Sequence, residues 1–109
     1  MGGIDVIAGC EGFDWDAGNA AKIWERHRVS PVECERVFFN RPIAVSDDLK
    51  HSEDEVRYCA LGRSDTGRNL FVVFTIRAGA IRVFSARDMS RKERRAYEVH
   101  EKEAAEVQK

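Results

Sequence analysis

The sequence predicts an α+β fold: two helices laid on one face of a small antiparallel sheet, and a further helix at the C-terminus. Three observations carry that expectation. Helical periodicity fills residues 17–39, whereas residues 43–87 read as β-rich runs broken by turn residues. "NLFVVFTIR" (69–77) is β-branched and aromatic almost throughout, and Ala78-Gly79 lets "IRVFSAR" (81–87) return antiparallel. Helices that lead and antiparallel strands that follow are the order of an α+β chain.

Taken in order, "GFDWD" (12–16) is a short strand, and Asp16 can cap a helix over 17–27. Ala20, Ile23, Trp24 and His27 fall at helical spacing and are expected to face the core. Ser30 as N-cap, Pro31 at the first helical position and Glu33 form a capping box for the next helix, whose buried stripe is Cys34, Val37 and Phe38. "NRP" (40–42) ends it, because a proline ring cannot continue the helical hydrogen bonding. "IAVSD" (43–47) is a weak strand, "DLKHSEDE" (48–55) a polar loop, "VRYCALGRS" (56–64) a strand and "DTG" (65–67) a turn. Residues 69–77, with so little polarity, belong in the sheet centre, covered on both faces. Ser90 and Glu93 make a second capping box, starting a helix from about residue 91. Residues 99–109 have little to bury, and fraying is expected past 100.

The totals bound the class. A chain of 109 residues with 43% hydrophobic content is sized for one domain with one modest core. No apolar run approaches the ~20 residues of a membrane span. "MGGIDVIAGCEG" lacks the basic start and apolar block of a secretory signal. Cys10, Cys34 and Cys59 are odd in number and widely spaced, so they suggest neither a zinc site nor a disulfide framework. A reduced, cytoplasmic protein is expected, without cofactor or metal.

The formal net charge of −1 conceals segregation. Residues 56–95 hold ten Lys and Arg against three Asp and Glu, while the remainder holds eight against sixteen. Local sign governs what a surface attracts beyond a Debye length of ~8 Å.

If residue 76 pairs with 81, the hairpin sorts into two faces. Leu70, Val72, Phe74, Ile76, Ile81 and Val83 share a dry face; Phe71, Val73, Thr75, Arg77, Arg82 and Phe84 share the other. Two arginines and a hydroxyl on an apolar face call for a partner, and forked guanidinium donors suit phosphate oxygens. Arg57 and Arg63 can join from the neighbouring strand, and Arg87, Arg91, Arg94 and Arg95 from the end of the hairpin and the final helix, whose N-terminal dipole adds to them. For Arg91, Lys92 and Arg95 a solvated helix face is the simpler reading, and Arg94 can pair with Glu98.

The residues that carry a resemblance are, in order, "FDWD", "AAKIWERHRVS", "VF-x-x-x-P", "D-x-x-H-S-E-D-E-x-R-Y", "LGRS", "VVFT-x-R" and "IRVFSAR-x-x-SRKERRAYE". Over about residues 13–98 the chain resembles the BrnT family of type II toxins. The resemblance implies a RelE-like fold and metal-independent RNA cleavage that halts translation. It implies hetero-oligomerisation with a BrnA-like ribbon-helix-helix antitoxin, and contact with operator DNA only through that antitoxin. The chain departs from the family where Lys-His-Gly commonly precedes "VS": here it reads Arg26-His27-Arg28. Without the glycine, either Arg28 takes a left-handed conformation or the helix ends differently. Residues 1–12 match nothing clearly.

The implied reaction is attack of a ribose 2′-OH on its own phosphate, which restricts the substrate to RNA. It needs a proton acceptor, a proton donor and positive charge around the phosphorane. The catalytic candidates are His51, Glu55, Arg77, Arg82 and His27. The substrate-binding candidates are Arg57, Arg63, Thr75, Ser85, Arg87, Arg91, Arg94 and Tyr97. Each has a plainer reading: His27 as a packed histidine, His51 as an exposed loop residue, Glu55 as an ion-pair partner, Tyr97 as core, Thr75 and Ser85 as partners of sheet-edge groups. The competing functional class is a non-catalytic module whose basic face docks an acidic protein.

Overall fold

The computed structural model describes residues 4–48, 50 and 55–107. In chain order the elements are α1 (Ile4–Ala8), β1 (Gly12–Phe13), α2 (Ala17–His27), α3 (Pro31–Phe39), β2 (Ala44–Asp47), β3 (Tyr58–Arg63), β4 (Asn69–Arg77), β5 (Ala80–Asp88) and α4 (Arg91–Val107). The class is α+β, as the sequence predicts. The sheet runs β1-β5-β4-β3-β2 and is mixed rather than wholly antiparallel, because β1 lies parallel to β5. Glu11 and Asp14 donate their backbone N–H groups to the carbonyls of Gly79 and Ile81, which extends the sheet beyond the hairpin. β1 stops at Phe13, short of the expected strand over 12–16, as Asp14 and Asp16 turn away towards Arg82 and the start of α2. Helix α1 was not legible in the sequence; its Ile7 enters the core.

The capping box at the start of α4 forms, whereas at α3 only the N-cap half does, because the Glu33 carboxylate pairs with Arg68. Ser30 Oγ accepts from Glu33 N–H, and Ser90 and Glu93 exchange reciprocal bonds at the start of α4. Asp16 accepts from Gly18 and Asn19. Cys34, Val37 and Phe38 are buried as expected, but Trp24 is 46% exposed. The correction is geometric: α2 buries the stripe through Ile23, and the indole lies outside under the Arg28 guanidinium, 5.3 Å from its centroid.

The hairpin register is the expected one, Thr75 opposite Arg82 and Ile76 opposite Ile81. A bulge follows, since Phe74 faces Val83 but Val73 faces Ser85, so Phe84 is the extra residue. The core lies between α1–α3 and one sheet face, around Leu70, Val72, Phe74, Ile81 and Val83. Phe38 packs edge-on against Phe74 at 5.0 Å; such pairs add about 0.5–1.5 kcal/mol beyond area burial.

On the opposite face α4 crosses one end of the sheet. Tyr97 is 1% exposed and donates its hydroxyl to the Pro42 carbonyl. The helix runs to Val107, with His100 reaching the Ile43 carbonyl and Glu101 paired with Arg63. The hairpin end of this face is left uncovered by α4.

Candidate active site

The turn at Ala78-Gly79 places both residues in the left-handed region, at φ 51° and 78°, which a tight two-residue hairpin turn requires. It fixes Thr75, Arg77 and Arg82 on the face away from the core. Thr75 is buried and donates to the Val56 carbonyl at 2.6 Å. That bond anchors the chain entering β3 and sets Glu55 beside Arg77. Two bonds of 2.9 and 3.2 Å then join the guanidinium of Arg77 to the two Glu55 carboxylate oxygens.

Glu55 lies in the field of three arginines. Its carboxyl is held below the usual range, first by the bonds from Arg77 and further by the charges of Arg77, Arg57 and Arg82. Arg57 lies 4.1 Å over the Phe84 ring. Arg82 makes longer contacts, 3.3 Å to Asp14 and 3.4 Å to Asp16. Asp16 is itself lowered chiefly by the backbone N–H groups of Asn19 and Gly18, with Arg82 a lesser cause. Arg77 is therefore tightly paired and Arg82 loosely.

The bulge returns Ser85 to the side of Phe84. Both line a cleft of about 90 Å³ between α2 and β5 with His27, Asn19, Lys22, Ile23 and Arg26. The Phe84 ring thus borders both this cleft and the arginine cluster.

The structure brings together Glu55, Arg57, Thr75, Arg77 and Arg82, with His27 and Ser85 across Phe84. It sets the other candidates apart. Arg63 pairs with Glu101 and lies over Tyr97, and burial raises the Tyr97 hydroxyl pKa. Arg87 is held by both Glu93 oxygens and lies 4.3 Å over Phe71. The strand rise puts Arg87 roughly 15 Å along β5 from Arg82. Arg91 and Arg94 border a shallow groove on α4 with Arg95 and Glu98. His51 lies outside the described residues.

Sequence reasoning missed Asp14 and Asp16 as partners of Arg82, although "FDWD" carries both; Asp16 read only as a helix cap. It also missed Arg68. That side chain donates to the His27 and Arg28 carbonyls at 2.7 Å each and pairs with Glu33 and Asp88. Nothing in "GRNL" marks it, because its partners come from three distant segments. Cys59 shares the open face through its pairing with Val73, and burial pushes its thiol up to about 11.

A carboxylate gripped by one guanidinium and in the field of two more, next to a cleft lined by His27, has the groups to hold a phosphodiester and to move a proton. A family model described as ribonuclease toxin, BrnT, of type II toxin-antitoxin system matches residues 15–93. No curated protein matches the chain.

Proposed function

Because the chain belongs to the BrnT family of ribonuclease toxins of type II toxin–antitoxin systems, we propose that it cleaves RNA on the open sheet face around Glu55 and Arg77. The family's description as a ribonuclease favours catalysis over a purely non-catalytic docking module. The observation that carries the assignment of the site is the two-bond grip of Arg77 on Glu55, on the sheet face that Arg82 shares.

The chemistry proceeds without metal as an internal transesterification. The ribose 2′-oxygen bonds to phosphorus, the P–O5′ bond breaks, and the products are a 2′,3′-cyclic phosphate and a 5′-hydroxyl. Arg77 and Arg82 stabilise charge on the equatorial oxygens. Glu55 accepts the 2′-hydroxyl proton. Its lowered pKa makes it a weak base in the free protein. When Arg77 transfers its fork to the phosphate, the largest cause of that lowering is withdrawn and Glu55 strengthens as a base. His27 and His51 are the candidates for returning a proton to the 5′-oxygen. Cleavage of messenger RNA would halt translation. The partner is an antitoxin protein, for which a BrnA-like ribbon-helix-helix chain is the candidate; it would carry the complex to operator DNA. No described helix is long and apolar enough to cross a membrane.

End-group analysis of digested RNA tests the reaction. Cyclic phosphate ends that disappear with Glu55→Gln and Arg77→Gln support it, whereas 3′-hydroxyl ends, or undiminished cleavage by both variants, refute it.

A further inference from the structure

We infer that the cleft between α2 and β5 is the subsite for the nucleotide adjoining the scissile phosphate, with Lys22 and Arg26 holding flanking backbone phosphates and Phe84 receiving the base. The inference rests on the ribonuclease reading of the Glu55–Arg77 cluster and extends it to a single-stranded RNA path.

Helix α2 runs alongside β5. At its start Asp16 meets Arg82; one turn on, Asn19 donates its side-chain amide to the Val83 carbonyl; at its end His27 borders the cleft with Phe84 and Ser85. Lys22 and Arg26 are four residues apart, so they stand on one side of the helix, and both line this cleft. Among the described residues neither has an ion-pair partner, whereas Arg63, Arg68, Arg77, Arg82 and Arg87 each face a carboxylate. An unneutralised cation binds phosphate by releasing counterions, without first displacing an internal acid.

The lining suits a base. Phe84 supplies an aromatic ring, and Ser85 and His27 supply hydrogen-bonding groups beside it. The cleft is small, about 90 Å³. The stack of Arg57 on Phe84 ties this subsite to the cluster that holds the scissile group. A continuous strand can therefore pass from Lys22 and Arg26, over Phe84, to Arg82 and Arg77.

The test is binding of the full chain to a 2′-O-methylated single-stranded RNA, which keeps phosphates and bases but lacks the nucleophile. Lys22→Gln/Arg26→Gln should weaken Kd about ten-fold at low salt and flatten the slope of log K against log salt by about 1.4, two single-strand phosphate contacts. Phe84→Leu should weaken it about ten-fold with the salt slope unchanged. Thermal melts confirm that each variant is folded. An unchanged Kd and slope in the double variant overturns the subsite, even if Arg77→Gln abolishes cleavage. Weakened binding in the double variant supports the subsite, even if Arg77→Gln still cleaves; that second result overturns the catalytic reading alone.

Discussion

The Glu55 carboxyl is held below the ordinary glutamate range chiefly because Arg77 grips both of its oxygens. A base with a lowered pKa stays competent until pH falls through that value. The acid limb of kcat/KM is therefore expected below the ordinary glutamate pKa of about 4.3. Arg77→Gln removes the largest cause, so the limb should move upward as the rate falls. A limb near about 6.5 that ignores this substitution would transfer the role to a histidine. Arg28 offers a second test at this scale. It occupies the left-handed region at φ 53°, ψ 40°, and its N–H bonds the Trp24 carbonyl. An L-residue there is strained by about 1–2 kcal/mol. Glycine loses more backbone entropy on folding, and the exposed Arg28–Trp24 stack contributes about 0.5 kcal/mol. Arg28→Gly should still stabilise by about 0.5 kcal/mol, a rise in Tm of a few degrees; a lower Tm would contradict the strain.

At the scale of elements, Arg68 joins the end of α2, the start of α3 and the β4–β5 pair. It satisfies two carbonyls at the α2 terminus and both oxygens of Asp88. Its guanidinium pKa is raised, chiefly by the Asp88 bond. Arg68→Ala leaves those carbonyls and Glu33 without their donor and should destabilise by about 2–3 kcal/mol. Lysine cannot reproduce the fork and should recover only part. Urea unfolding checks both; a shift under about 0.5 kcal/mol for alanine would make Arg68 a surface residue in energy as well as in sequence. The bulge is the other element-scale device. Without its extra residue, Phe84 and Ser85 would not lie together on the rim of the α2–β5 cleft.

Across the whole molecule, charges segregated along the chain are interleaved in space. Carboxylates from the acidic flanks meet arginines of the basic segment: Glu55 with Arg77, Asp14 and Asp16 with Arg82, Glu33 with Arg68, Glu101 with Arg63. Acid should consequently loosen the fold. Glu55, Asp88 and Glu93 are lowered first by bonds from Arg77, Arg68 and Arg87, Asp65 by Asn40 and Arg36, and Asp16 by backbone N–H groups. For each, the unfolded chain binds the proton more tightly. The stabilisation is thus present above the unfolded value of about 4 and lost as pH falls through the lower folded value. The urea midpoint should hold from pH 7 to about 5 and drop steeply below about 4; a flat midpoint down to about pH 3 would contradict the pairings.

Local chemistry determined the elements. Capping at Asp16, Ser30 and Ser90, the apolar run of β4 and the turn at 78–79 each act within a few residues, so they are legible without neighbours. The same parity placed Thr75, Arg77 and Arg82 on one face. Only tertiary structure decided which cations are neutralised, that α1 and β1 complete the sheet and core, and that Trp24 lies outside. Those outcomes depend on carboxylates and backbone groups brought from tens of residues away, and no spacing along the chain encodes such distances. Arg77 and Arg87 look alike in sequence, yet one borders an open face and the other braces the N-terminus of α4.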